Sequence, residues 1–140
     1  MTQRVDELNE AERAWIAGLL GELHADGVEI ARDSLSQYFD RQRHGWFATR
    51  PRKRPDPNSI INRTGAGLGE LLIQSCGLRW VIVTDEYGTE MAVHGEVGDI
   101  LLFPMNAVGK RWGDDDRVSL AAFVDEASRS VREVREAESV

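Results

Sequence analysis

The sequence predicts an α+β domain: a three-stranded antiparallel sheet packed against amino-terminal, central and carboxy-terminal helices. Three observations predict it. Apolar residues recur at helical spacing before position 40, between 59 and 76 and after 119. The run from Arg79 to His94 reads as two strands joined by a tight turn. A length of 140 residues suffices for one domain with a real core and is too short for two of typical size, so residues 1–140 are expected to form a single domain. A composition of 41% hydrophobic and 29% charged residues excludes a disordered tail or a collagen-like repeat.

Taken in order, Leu8, Trp15, Ile16, Leu19, Leu20 and Leu23 define a first helix, with Asn9 and Glu12 spaced as a capping box. Gly27 separates it from a second series, Val28, Ala31, Leu35, Tyr38 and Phe39. Beyond Phe39 the periodicity lapses into RQRHGWFATRPRKRPDPN, which holds three of the four prolines and no acid between Arg41 and Arg54. This stretch is expected to be a long basic loop at about 41–57. Helical spacing returns with Ile61, Thr64, Leu68, Leu71, Leu72 and Ser75, and Gly77 acts as the stop.

Asp85 and Gly88 suit a type I turn followed by a glycine bulge. Pairing of Asp85 with Thr89 then sets Val83 opposite Met91 and Val81 opposite Val93 on one face, with Ile82 opposite Ala92 and Trp80 opposite His94 on the other. The first strand is apolar on both faces and is expected to be central. A third strand, Asp99 to Phe103, ends at Pro104, which removes a ladder donor. A short helix from Ala107 to Trp112 follows. Asp114, Asp115 and Asp116 are expected to cap a last helix with the core stripe Phe123, Ala127, Val131 and Val134.

Between Leu68 and Trp112 the chain resembles the bacterial family described as domain of unknown function 3806. The resemblance rests on Gly69-Glu70-Leu71-Leu72 before Gly77-Leu78-Arg79-Trp80-Val81, on the hairpin with Asp85 and Gly88, and on the run from Phe103-Pro104 to Lys110-Arg111-Trp112. It implies the fold and brings no activity, cofactor or partner.

Metal chemistry has no support in the pattern, because His24, His44 and His94 fall on separate elements and Cys76 is the single cysteine. The aspartate triplet lacks the spacing of a calcium loop. Gly65-Ala66-Gly67-Leu68-Gly69 follows no strand and lacks a phosphate-loop ending, so close helix packing is the expected use of its glycines. No cofactor is expected. Cys76 is expected to be a small buried apolar group. A lone cysteine and a charged start, Met1-Thr2-Gln3-Arg4-Val5-Asp6-Glu7, are read as cytoplasmic, and no apolar run is long enough to span a bilayer, so no membrane partner is expected.

The basic stretch carries the functional expectation. Arg41, Arg43, Arg50, Arg52, Lys53 and Arg54 place six of seventeen positive charges in fourteen residues, interleaved with His44, Trp46 and Phe47. The remainder holds eleven basic and twenty-four acidic residues, a charge of −13. The expected function is therefore non-enzymatic binding of an acidic protein partner through this segment. The alternative is binding of nucleic acid or another polyphosphate by the same residues. A third reading is a small enzyme using His94, which lies beside Trp80 in the expected register. Trp80, His94, Lys110 and Arg111 are secondary site candidates, the last two as an anion-binding pair. Against both uses of the basic segment stands the reading that Trp46 and Phe47 fold into the core while the arginines cover the body's own carboxylates. Oligomeric state is left open by the sequence.

Overall fold

The computed structural model describes residues 3–114 and 117–139. These form β1 (Arg4–Glu7), α1 (Glu10–Ala25), α2 (Arg32–Ala48), a short 3-10 turn (Pro51–Lys53), α3 (Asn58–Cys76), β2 (Arg79–Asp85), β3 (Gly88–Gly95), β4 (Ile100–Leu102), α4 (Pro104–Trp112) and α5 (Leu120–Glu138). The α+β class holds, but the sheet has four antiparallel strands in the order β1-β2-β3-β4, not three. β1 is the added strand. Its sequence, Arg-Val-Asp-Glu, has no apolar alternation, and it becomes a strand because Val5 aligns with Val83 and Glu7 with Val81 along the edge of β2.

The hairpin register is one residue away from the expected one. Asp85 pairs with Gly88, Ile82 with Met91, Val81 with Ala92 and Trp80 with Val93, so the turn is Glu86-Tyr87. The Asp85 carboxylate accepts from the Tyr87 amide at 2.8 Å, which closes the turn without a bulge. A one-residue slip exchanges the faces of β3. Val93 thereby joins Trp80 under the helices, whereas the expected register would have put the His94 imidazole there. Trp80 and His94 consequently point to opposite faces of the sheet.

All the helical layers gather on the Trp80 face, where Trp80, Ile82 and Met91 pack with residues of α1, α3 and α4. The other face carries Val81, Val83 and Ala92 with Leu101 and Phe103, a cluster with no helical member. α3 is the central helix and touches α1, α2, α4, α5 and the sheet. Its glycines allow this. A β-carbon on Gly65 would lie 2.9 Å from the Met105 backbone, one on Gly67 would lie 2.9 Å from Leu35, and one on Gly69 would overlap the Trp80 ring. The glycine run is thus a packing device. Gly77 ends the helix in the left-handed conformation, at φ 65°.

The Asn9 and Glu12 capping box is present, with both bonds at 2.8 Å. The expected aspartate cap of α5 is corrected: Ser119 is the cap and accepts from the Ala122 amide at 3.1 Å, while Ser36 of α2 accepts from Ala121 at 3.3 Å. Asp114 pairs with Arg117 at 3.3 Å, and Asp115 and Asp116 lie outside the described residues. Cys76 is buried, within 3.8 Å of the Ser128 hydroxyl. No helix of the described residues is long and apolar enough to cross a membrane.

A two-pronged ion pair ties α2 to α5. Arg32 donates through Nε to Asp125 Oδ1 at 2.8 Å and through Nη2 to Oδ2 at 2.6 Å. The Arg32 hydrogen bonds hold the Asp125 carboxyl below its ordinary range. A carboxyl whose folded pKa is depressed stabilises the fold at neutral pH and ceases to do so as pH falls through that depressed value. Asp125→Asn is therefore expected to lower the urea midpoint at pH 7, and the gap from the parent chain should close below about pH 4. Urea titrations across that range check it.

Candidate functional site

The basic segment is not one long loop. α2 runs on to Ala48, the 3-10 turn occupies Pro51–Lys53, and only the short joints around them are irregular. The helix continues because Trp46 resumes the buried stripe of Leu35 and Phe39 after polar Gln42 and Arg43, and it ends at Ala48, three residues before Pro51. Trp46 packs edge-on to Trp112 at 5.4 Å and to Phe47 at 4.9 Å, and Phe39 meets Trp112 at 5.9 Å. The aromatic half of the competing reading is thus correct for Trp46, which is half-buried, whereas Phe47 remains 42% exposed.

The arginines divide into two sets. Arg54 turns back under the end of α2, donating from Nε to Trp46 O at 3.1 Å and Thr49 O at 2.9 Å, and from Nη2 to Phe47 O at 2.8 Å. Its guanidinium also lies 4.7 Å from the Trp46 ring centre. A helix leaves its last carbonyls without partners and carries partial negative charge there, so a cation at that place satisfies both needs. α2 has no basic residue in its own last turn, and Arg54 supplies one from outside. Arg43 does the same for α4, donating to Trp112 O at 2.7 Å while stacking 4.8 Å from the Phe47 ring centre. On the far side of the molecule, Arg135 reaches Cys76 O at the end of α3. Arg54→Ala is expected to cost about 2 kcal/mol in chemical unfolding, the usual scale for losing charge-assisted bonds to partly buried acceptors.

The second set faces outward. Arg41, His44, Arg50, Arg52 and Lys53 are exposed, and none makes an ion pair with a carboxylate among the described residues. Trp46 fixes the turn that presents the last three, since its indole N–H donates to Pro55 O at 2.8 Å. Arg54 pins the same turn from the other side. The cations are therefore held on a braced segment, which lowers the ordering cost of binding. Beside them, Arg41, Arg43, His44, Phe47 and Gly113 line an open groove of about 730 Å³, with Asp40 as its one carboxylate among the described residues.

The secondary candidates disperse. Arg111 donates to Val118 O at 3.0 Å and Ala107 O at 2.9 Å and covers the Phe123 ring at 4.5 Å, so it fastens α4 to the segment before α5. Lys110 is exposed nearby. His94 meets Asp99, its Nε2 lying 2.8 Å from Oδ1, at the β3–β4 turn. Asp99 is held there at φ 48°, the one non-glycine residue with positive φ among those described. Sequence reasoning passed over this contact because it depends on a left-handed aspartate that no local pattern signals. Trp80 lies on the other face and takes no part.

The profile of the family described as domain of unknown function DUF3806 matches residues 49–123, more than half of the chain. The chain belongs to that family. The match is wider than the resemblance over Leu68 to Trp112, and the DUF3806 region begins within the braced turn that carries Arg50, Arg52, Lys53 and Arg54. No curated protein and no solved structure gives a significant match to the chain.

Proposed function

We propose that this protein is a non-enzymatic interaction module that docks an acidic protein surface on Arg41, His44, Arg50, Arg52 and Lys53, with Phe47 as an apolar anchor. One observation carries the reading. Arg41, Arg50, Arg52 and Lys53 make no ion pair among the described residues although the chain outside 41–54 holds a charge of −13, so the described carboxylates of the same molecule are not used to neutralise them. Charge kept apart in this way favours steering and orientation of an oppositely charged partner. A protein partner is preferred over nucleic acid for two reasons. The acidic body repels a long polyanion that extends beyond the patch. The Trp46 ring is already engaged by Arg54, Phe47 and Trp112, which leaves no broad aromatic platform for bases.

The test uses the parent chain and Arg50→Glu/Arg52→Glu/Lys53→Glu, immobilised side by side and exposed to nuclease-treated lysate of the cells that make it. The expected result is an acidic protein retained by the parent chain and missing from the variant. Identical retention on both, or retention seen only when nuclease treatment is omitted, contradicts the proposal.

A further inference from the structure

We propose that the cleft between β4 and α5 receives an extended peptide strand of a partner protein, one that pairs its main chain with the free edge of β4 and carries alternating apolar side chains and a Lys or Arg. The two edges of the sheet differ in a telling way. β1 has three charged residues among its four, the usual protection of an edge against further pairing. β4 is Ile100-Leu101-Leu102, with no charge and no proline, and among the described residues it pairs only with β3. Its outward amide and carbonyl groups therefore have no strand to meet.

The edge is not flat against solvent. α5 runs alongside it, and Phe123, Ala127, Val131 and Val134 form a wall facing Ile100 and Leu102 across a cleft of about 470 Å³. Those four helical positions follow one face at spacings of four, four and three, so the wall is continuous along the strand. The strand wall runs from Gly98 to Leu102, and at about 3.3 Å per residue it would align with a peptide segment of similar length. Addition of a strand to such an edge uses main-chain bonds for affinity and side-chain pockets at alternate positions for selection. Apolar side chains two residues apart would enter the cleft, because successive side chains alternate in direction.

Charge selects the remaining feature. Asp99 and Glu126 are the charged residues lining the cleft, and no Lys or Arg lines it among the described residues. Asp99 stands at the mouth with its side chain 92% exposed. A cation on the peptide is complementary to this rim, and an acidic segment is excluded. This site is separate from the basic segment and calls for a partner of the opposite character.

A random peptide library displayed on phage, panned against the full chain, tests the proposal. Enriched sequences are expected to alternate apolar and other residues and to contain Lys or Arg. The best of them, made synthetically, is expected to bind about tenfold more weakly to Ser130→Trp, which blocks the cleft from an exposed helical position, and to Glu126→Lys. Methylation of alternate backbone nitrogens in the peptide should abolish binding, while Arg50→Glu/Arg52→Glu/Lys53→Glu should leave it unchanged. Absence of enrichment, equal binding to Ser130→Trp, or indifference to methylation overturns it. So does a free chain that is dimeric and becomes monomeric with Ser130→Trp, because the occupant would then be a second copy.

Discussion

Gly69→Ala is expected to lower the thermal midpoint by about 7 °C, corresponding to a net loss of about 2 kcal/mol. Two effects of opposite sign compete. Alanine in place of glycine inside a helix is worth about 1 kcal/mol in favour of the variant. Against this, the new methyl would overlap the Trp80 ring, which sits between α3 and the sheet. Overpacking of this kind costs about 3 kcal/mol, so packing wins. Helix preference alone predicts a more stable protein, and a raised midpoint would therefore contradict the packing account. Trp80→Phe should relieve the overlap, and the double variant is expected to be more stable than the sum of the two single changes allows.

The second large effect is on binding rather than on folding. Arg50→Glu/Arg52→Glu/Lys53→Glu is expected to weaken binding of the proposed acidic partner by about a hundredfold or more, since three attractive charges become repulsive together. The same variant is expected to keep its unfolding free energy within about 0.5 kcal/mol, because these side chains make no ion pair among the described residues that reversal would break. Arg54→Ala should do the reverse, loosening the fold through the end of α2. Raising salt should weaken the complex of the parent chain and leave little further effect on the variant. Unfolding curves and titrations at two salt concentrations separate the two kinds of arginine.

Much of this architecture is legible in the chain, and the parts that are not have identifiable causes. The capping box at Asn9 and the stop at Gly77 are local signals that tertiary contacts leave intact. The core stripe of α5 is only half legible, because the buried positions are Leu120, Val124, Ala127 and Val131, while Phe123 is half-buried and Val134 is exposed. β1 escapes notice because a charged edge strand is defined by what it pairs with. The hairpin register escapes because Asp85 and Gly88 are compatible with two turns, and the choice is made by packing Val93 instead of His94 beneath the helices. The end of α2 is hidden by Gln42, Arg43 and Gly45, which interrupt the stripe before Trp46 restores it. In the site, the concentration of positive charge is visible at once. Its division into anchors and outward-facing cations is not, because the folded chain brings a helix end to Arg54 and leaves Arg50 facing outward.

That division is the central claim, and arginine modification by phenylglyoxal read by mass spectrometry measures it residue by residue in the native chain. Arg41, Arg50 and Arg52 are predicted to react early, and Arg43, Arg54 and Arg111 late, with the late set catching up once urea unfolds the protein. Arg50 and Arg52 reacting as slowly as Arg54 would contradict the account.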